Sequence, residues 1–254
     1  MKPKSDSLFH FTSKFDYLTN ILSHGLQPRI CHEDISFLHG KSRLLSVPMV
    51  CFCDIPISRL TDHTDFYGFY GIGFTRQWAE KNEIHPVSYT SKSSPLAEAS
   101  RFLLRKFKKM SSTGGGLRRI DQDFQQDLIE YTQKIKRLMA FSKPYRGKQE
   151  KRSIKQLVPK NFFEENEWRF VPNDYVFNDL SENPEKIVTQ NNRHAANALT
   201  FEPRDITYIF VKSENEIDKI FDVVMKTFKP KYDNSTVKKL LTKITCLDLI
   251  EKDL

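Results

Sequence analysis

Within its first 26 residues the chain changes its hydrophobic period from two to about 3.6, which requires a strand followed closely by a helix. The stretch LFHFT alternates, and predicts Phe9 and Phe11 on one face of a strand with His10 and Thr12 on the other. The next twelve residues carry apolar side chains at helical spacing up to Gly25, a residue type that often follows a helix. A chain that begins in this way must combine strands and helices.

Length, composition and charge limit the class of protein. The 254 residues suit a single domain over 1–254, and 39% hydrophobic residues are enough for a core. We expect a cytoplasmic protein, because no apolar leader or membrane-length stretch occurs and the four cysteines suit neither a disulfide framework nor a metal site. Neither a G-x-G-x-x-G motif nor a P-loop is present. The net charge of +8, much of it between residues 101 and 160, favours a polyanionic partner.

The periodicity predicts an α+β fold. Strands are predicted at 47–55, 70–74, 87–90, 162–172 and 206–211. Helices are predicted at 96–110, 123–141, 213–228 and 235–252. The first two of these helices would form a helical hairpin, 96–141, inserted between strands. Two turn-rich stretches, 143–160 and 178–200, are predicted to be irregular.

The late strand FFEENEWRFVP has a strict period of two. Trp168 and Phe170 take one face, whereas Glu165, Glu167 and Arg169 take the other. Carboxylates at i and i+2 are close enough to shift each other's pKa, and such a pair can stabilise a developing cation or act as a general base. The alternative is a solvated face on which the arginine pairs with the carboxylates. Glu165 and Glu167 are therefore candidate catalytic residues.

Three further polar positions accompany the carboxylates. His10 and Thr12 share the polar face of the first strand, and we expect them to face a common cleft with the two glutamates. Tyr67 and Tyr70 flank a glycine-containing strand whose bare face would allow a ligand or another chain to approach. For His10, a satisfied structural histidine is the alternative.

The basic stretch SKPYRGKQEKRSIKQLVPKN is a candidate contact surface. Tyr145 lies among Lys143, Arg146 and Lys148, a composition that suits a stacked base with phosphate contacts, or contact with a partner protein. A solvated loop is the alternative.

Four long motifs resemble the AbiGi abortive-infection family. They are SLFHFTSKFDYLTNILSHGLQP, SVPMVCFCDIPISRLTDHTDFYGFYGIGFTRQW, FFEENEWRFVP and LLTKITCLDLIEKDL, and the resemblance covers about residues 6–253. It implies a bacterial phage-defence protein, the antitoxin partner of a nucleotidyltransferase-like toxin encoded nearby. In that case the hairpin 96–141 or the basic stretch would bind and neutralise the toxin.

The order of parts is also similar to the ADP-ribosyltransferase fold. In that fold a first strand carries His and then Thr or Ser two residues on, a helix ends in IL-x-x-G-L, and a Tyr and a late Glu follow. This resemblance implies a mixed, largely antiparallel sheet and NAD as cofactor. His10 and Thr12 would hold NAD with Arg169, and Tyr70, or otherwise Tyr67, would stack on nicotinamide.

The same resemblance implies a catalytic role for the acidic pair. Glu167, with Glu165 before it as in E-x-E enzymes, would stabilise an oxocarbenium-like transition state. The expected enzyme transfers ADP-ribose from NAD to nucleic acid or protein, which requires His10, Tyr70 and Glu167 to line one pocket. The alternative is the non-catalytic antitoxin, and a third possibility is a nucleic-acid-binding regulator of its own operon.

Overall fold

The computed structural model describes residues 6–39, 43–113, 122–173, 175 and 184–252. The strands are β1 (Ser7–Thr12), β2 (Arg29–Asp34), β3 (Leu44–Cys53), β4 (Tyr70–Thr75), β5 (His85–Pro86), β6 (Ser88–Thr90), β7 (Ser142–Pro144), β8 (Arg146–Lys151), β9 (Gln156–Asn161), β10 (Glu167–Phe170), β11 (Ile206–Val211) and β12 (Ile244–Cys246). The helices are α1 (Phe15–His24), α2 (Ser36–His39), α3 (Leu60–Tyr67), α4 (Arg76–Lys81), α5 (Pro95–Thr113), α6 (Gln122–Ala140), α7 (Pro184–His194), α8 (Ile217–Phe228), α9 (Asn234–Leu241) and α10 (Leu247–Lys252). None of these helices is long and apolar enough to cross a bilayer.

The described strands form one large sheet and two small ones. Eight strands make a mixed sheet in the order β12-β11-β4-β1-β3-β10-β5, and β2 pairs with β3 outside that path. All its pairs are antiparallel except β11 with β12, which confirms the predicted α+β class with a largely antiparallel sheet. The predicted helices of the hairpin are present as α5 and α6, between β6 and β7 in the chain. The triple glycine that would connect them lies outside the described residues.

The register shows which side chains share a face, because directly paired residues of antiparallel strands point the same way. Phe9 pairs with Cys53, and Cys53 pairs in turn with Glu167. We call the face that carries these three residues the cleft face. Since alternate residues point to opposite sides, His10 and Trp168 lie on the other face, which we call the helix-covered face.

Apolar side chains fill the helix-covered face. Ile72 and Phe74 of β4 are fully buried there, in one cluster with residues of α1 and α8. The ring of Phe74 also stacks on Trp78 of α4 at a centroid distance of 4.2 Å. Helix α1 ends where predicted, because Gly25 adopts a φ of +84° and its N–H donates to the Ile21 carbonyl at 2.8 Å.

The glycines of β4 make room for phenylalanine rings on the cleft face. A Cβ added to Gly71 would lie 2.7 Å from the ring of Phe11, and one added to Gly73 would lie 2.9 Å from the ring of Phe9. Both rings come from β1 and are buried. The expectation that this bare face is open to a ligand is therefore wrong, because the chain's own aromatic side chains occupy it.

The stretch 143–160 forms strands β7, β8 and β9, and the prediction of a loop is wrong. The inward side chains of β8 contact polar groups of α3: Gln149 accepts a hydrogen bond from the Tyr67 hydroxyl at 3.2 Å, and Lys151 pairs with Asp65 at 2.7 Å. Strand β8 is polar on both faces and β9 has its apolar residues side by side at Leu157 and Val158, so the sequence lacks the hydrophobic alternation that predicts a strand.

Three other local predictions are wrong in part. The stretch 178–200 is predicted to be irregular, but it contains α7, and residues 178–183 lie outside the described residues. The single helix expected over 235–252 is interrupted by β12, since parallel pairing with β11 overrides the local helical pattern. Glu165 lies in a 3-10 turn before β10, not on the strand, and the left-handed Asn166, with a φ of +42°, separates the two.

Candidate functional site

A cleft of about 560 Å³ opens on the cleft face. Its lining comes from β1, β2, α2, β3 and α3, together with β7, the start of β8 and the turn before β10. Seven of the residues singled out by the sequence border it: His10, Tyr67, Lys143, Arg146, Lys148, Glu165 and Glu167. The cleft has the size of an ordinary small-molecule site.

A largely buried lysine, with a side chain that is 12% exposed, joins the two candidate carboxylates. Lys143 of β7 places its Nζ 2.7 Å from Glu165 and 2.5 Å from Glu167. A second lysine, Lys160 of β9, lies 2.5 Å from the other oxygen of Glu165. The expectation that Lys143 lies in an exposed loop is wrong, because it lies in β7 with a largely buried side chain. Its contact to nucleic acid or a partner stays a prediction.

Arg169 completes the ion-pair cluster. Its side chain is 0% exposed. Its Nε donates to Glu167 at 2.6 Å, its Nη2 to Glu33 of β2 at 2.9 Å, and its Nη1 to the Ala140 carbonyl at 2.5 Å. The predicted pairing of Arg169 with a neighbouring carboxylate is therefore present, but it is buried rather than solvated.

The cations keep both carboxylates ionised. Burial by itself would raise the pKa of Glu167, but Arg169 and Lys143 outweigh it and hold that pKa far below its ordinary value. Burial acts in the same way on Glu165, whose pKa Lys143 and Lys160 lower. Groups in these states are poor general bases, although an ionised carboxylate can still stabilise a developing positive charge.

An aromatic pair borders the acidic side of the cleft. The Tyr67 hydroxyl donates to Glu165 at 2.5 Å, and burial raises its pKa well above the ordinary value. His63 of the same helix stacks on the Tyr67 ring at 4.3 Å with an interplanar angle of 27°. Burial lowers the pKa of His63 to about 3, so its ring is neutral at physiological pH.

His10 reaches the cleft from the other face of the sheet. The expectation that His10 shares a face with Glu167 is wrong, because the register sets them on opposite faces. Strands β1 and β3 pair only at Phe9 and Cys53, and His10 lies beside the gap where they separate. There its Nδ1 bonds the Cys51 carbonyl at 2.8 Å, and burial lowers its pKa.

Thr12 and Tyr70 do not border the cleft. They pair with each other across β1 and β4 on the helix-covered face. The Tyr70 hydroxyl donates to Glu216 at 2.7 Å, and burial together with this bond raises its pKa to about 12. The condition that His10, Tyr70 and Glu167 line one pocket is therefore not met. Tyr67, the other tyrosine considered, is the one at the cleft.

Tyr145, Arg146 and Lys148 are exposed at the start of the β8–β9 hairpin. Arg146 and Lys148 also border the mouth of the cleft, and the Tyr145 ring stacks on Phe163. These three residues thus lie together, as the sequence predicted, but on a strand edge rather than in a loop.

Sequence reasoning missed three contributors to the site. Glu33, Lys160 and His63 join it from β2, β9 and α3, and each is an ordinary polar residue in its own segment. The basic composition of the stretch 143–160, which contains both Lys143 and Lys160, is the one sequence signal that pointed to this site. No group of three His, Cys, Asp or Glu side chains among the described residues is placed to hold a metal.

The chain is thus an α+β protein whose mixed sheet carries a buried ion-pair cluster beside a cleft. The model of the family described as "Putative abortive phage resistance protein AbiGi, antitoxin" matches residues 24–212, and the chain belongs to this family. It is also similar to "Abortive phage resistance protein AbiGi" of Lactococcus lactis subsp. cremoris, with 28% identity over 252 residues, 89% of this chain and 98% of that protein. These findings confirm the resemblance of the motifs to AbiGi.

No solved structure matches the chain. The similarity to the ADP-ribosyltransferase fold therefore stays a prediction, as do NAD binding and the cytoplasmic location.

Proposed function

We propose that this protein is the antitoxin of an abortive-infection system and that it binds its toxin through helices α5 and α6. The family description, which names an antitoxin, supports the role. We choose this surface because the apolar stripe of α6 is only partly buried against the rest of the protein.

The stripe combines a buried side and an exposed side. Ile135 and Met139 are buried against the protein. Tyr131 and Leu138, seven residues apart and so on one side of the helix, are 52% and 45% exposed. Large exposed apolar side chains beside a buried stripe are typical of a protein interaction site.

The neighbouring helix defines the chemistry of the partner. On α5, Phe102 is exposed together with Arg105, Lys106 and Lys109, and the Lys106 ammonium lies 5.6 Å from the centre of the Phe102 ring. An exposed phenylalanine with three basic neighbours fits a partner surface that is apolar with acidic residues around it.

The cleft supports the same role by being electrostatically complete. Glu165 and Glu167 are each paired with two cations of the chain, so no ligand is needed to balance their charge. In a non-catalytic antitoxin this cluster joins β7, β9 and β10 and shapes the fold.

The test is binding to the nucleotidyltransferase-like protein encoded next to this gene, measured by calorimetry with purified components. The double variant Tyr131→Asp with Leu138→Asp should bind at least about tenfold more weakly, because charges would replace apolar contacts at the centre of the interface. Ile129→Asp is the matched control: it is equally exposed, at 55%, but on the opposite side of α6. Absence of binding by the unaltered protein, or equal loss in both variants, would contradict the proposal.

A second candidate function is ADP-ribosyl transfer from NAD. The observation that favours it is that His10, Tyr67 and Glu167 border one cleft of sufficient size. Tyr67 and His63 would contact the nicotinamide end, and Glu167 would stabilise positive charge on the ribose as its bond to nicotinamide breaks. A nucleophilic atom of the acceptor would then bond to the ribose carbon and lose its proton, while nicotinamide leaves as a neutral molecule.

Incubation with labelled NAD and cell extract distinguishes the two functions. The transferase predicts label on a macromolecule and its loss in Glu167→Gln, provided that the variant shows an unchanged unfolding transition. The antitoxin predicts no transfer of label and unchanged toxin binding by the same variant.

A further inference from the structure

The outer edge of the β8–β9 hairpin carries an exposed aromatic platform. The ring of Tyr145 stacks on that of Phe163, with centroids 4.4 Å apart and planes only 3° from parallel. Tyr145 remains 40% exposed, although its ring is backed by a second one. A flat ring held in this way has a face on which a nucleobase can stack at little conformational cost.

Two cations follow this platform along one side of β8. The Arg146 guanidinium lies over the Tyr145 ring, 5.4 Å from its centre, so a base that stacks on this ring would displace it toward a neighbouring phosphate. Lys148 is two residues further along β8, so both cations point the same way. Gly147 between them faces inward, because a Cβ there would lie 2.5 Å from the ring of Phe162. The orientation of the two exposed cations is therefore set by the packing beneath them.

The outward cations differ from the inward ones. Lys151, on the inward side of β8, is paired with Asp65 at 2.7 Å. Among the ion pairs of the described residues, neither Arg146 nor Lys148 takes part. Glu150, the next outward residue of β8, ends the positive run, which limits the surface to about two phosphates.

We infer that this edge binds a single-stranded polynucleotide, with one base stacked on Tyr145 and neighbouring phosphates contacted by Arg146 and Lys148. Single strands are favoured because the bases of a duplex are stacked on one another and cannot reach the ring. The inference goes beyond the proposed antitoxin function and does not depend on it, since the hairpin of β8 and β9 is separate from α5 and α6.

The test measures fluorescence anisotropy of labelled oligo-dU, oligo-U and a DNA duplex with the full-length protein. Tyr145→Ala should weaken single-strand binding about tenfold, as expected for loss of one base stack, whereas Tyr145→Phe should keep it. Arg146→Gln with Lys148→Gln should reduce the slope of log affinity against log salt by about 1.4, the value for two phosphate contacts. Equal binding of the single-stranded DNA and RNA would show that the site recognises the base and phosphate that they share. Tighter binding of oligo-U would show that it also contacts the ribose hydroxyl.

Matched controls lie on the other side of the sheet. Tyr17 of α1 is an exposed tyrosine with the Lys14 ammonium 5.4 Å from its ring centre, so Tyr17→Ala removes an equivalent pair and should leave binding unchanged. Lys226→Gln with Lys229→Gln removes two exposed charges from the region of α8. Absence of single-strand binding, tighter binding of the duplex, or equal losses in test and control variants would overturn the inference.

Discussion

The two faces of the central sheet bury their side chains by different physical means. On the helix-covered face, Ile72 and Phe74 belong to a continuous apolar cluster that each member stabilises by leaving water. On the cleft face, strand β10 buries Arg169 and Glu167, which are tolerated only because each has charged partners. Stability on the first face is therefore spread over many contacts, whereas at the β10 side of the cleft face it depends on a complete set of charged partners.

This difference explains how one sheet can hold both a core and a cleft. The apolar face can be covered by α1 and α8 without specific bonds. The charged face needs donors and acceptors at fixed positions, and they come from distant segments: Lys143 from β7, Lys160 from β9 and Glu33 from β2. The cluster thereby connects the small hairpin to the large sheet.

The largest expected effect is the loss of one member of the cluster. Arg169→Met should lower the free energy of unfolding by about 3–5 kcal/mol, because Glu167 and Glu33 lose a buried partner. Ile72→Val, a conservative change on the helix-covered face, should cost only about 1 kcal/mol. Urea unfolding measures both.

The matching double variant sharpens this comparison. Glu167→Gln combined with Arg169→Met should be less destabilising than the sum of the two single changes, since it removes the unpaired charge along with its partner. If the double variant loses the full sum, the two residues do not act as a pair.

The next effect concerns the aromatic part of the cleft face. Gly71→Ala should cost about 1–3 kcal/mol, because its Cβ would lie 2.7 Å from the ring of Phe11. Adding Phe11→Leu to Gly71→Ala should recover part of this loss, measured by the same unfolding curves. No recovery would show that the backbone, and not the ring, sets the need for glycine.

The helix-covered face could be predicted from sequence, whereas the cleft face could not. Alternation in LFHFT and YGIGF gave the correct faces for β1 and β4, because there the apolar side chains follow the period of the strand. The cluster at Lys143 escaped prediction since its partner Glu167 is 24 residues away and neither residue type signals burial. The alternation correctly placed His10 on the face opposite Phe9 and Phe11. It could not show whether His10 shares a face with Glu167, because strand order and register determine that.

A smaller effect is expected in the pH dependence of stability. The pKa of His63 is about 3 in the folded protein, whereas an unperturbed histidine has a pKa of 6.5. Between these two pH values the imidazole is therefore protonated in the unfolded chain and neutral in the folded protein. Stability should therefore fall as the pH falls from 6.5, with up to about 1.4 kcal/mol per pH unit from this residue. His63→Phe keeps a ring against Tyr67 and should reduce this slope in unfolding experiments at several pH values. An unchanged slope would mean that the ring is not buried as described.

The smallest expected effect lies at the start of α8, away from the cleft. Ser213 and Glu216 form a capping box on the 3-10 turn Glu214–Glu216 that leads into α8, so Ser213→Ala should cost about 1 kcal/mol. The change should leave the salt dependence of stability unaltered, in contrast to Arg169→Met. A larger loss would show that this end of the helix-covered face is also held by specific bonds.

The central claim is that protection depends on the surface of α5 and α6 and not on chemistry at Glu167. Growth of cells that co-express this protein with its cognate toxin, the partner that the proposed antitoxin function requires, tests it most directly. The account predicts that Tyr131→Asp with Leu138→Asp abolishes rescue, whereas Glu167→Gln, expressed at the same level and folded, rescues like the unaltered protein. Rescue by the variant with Tyr131→Asp and Leu138→Asp, together with loss of rescue by Glu167→Gln, would contradict the account and favour the transferase.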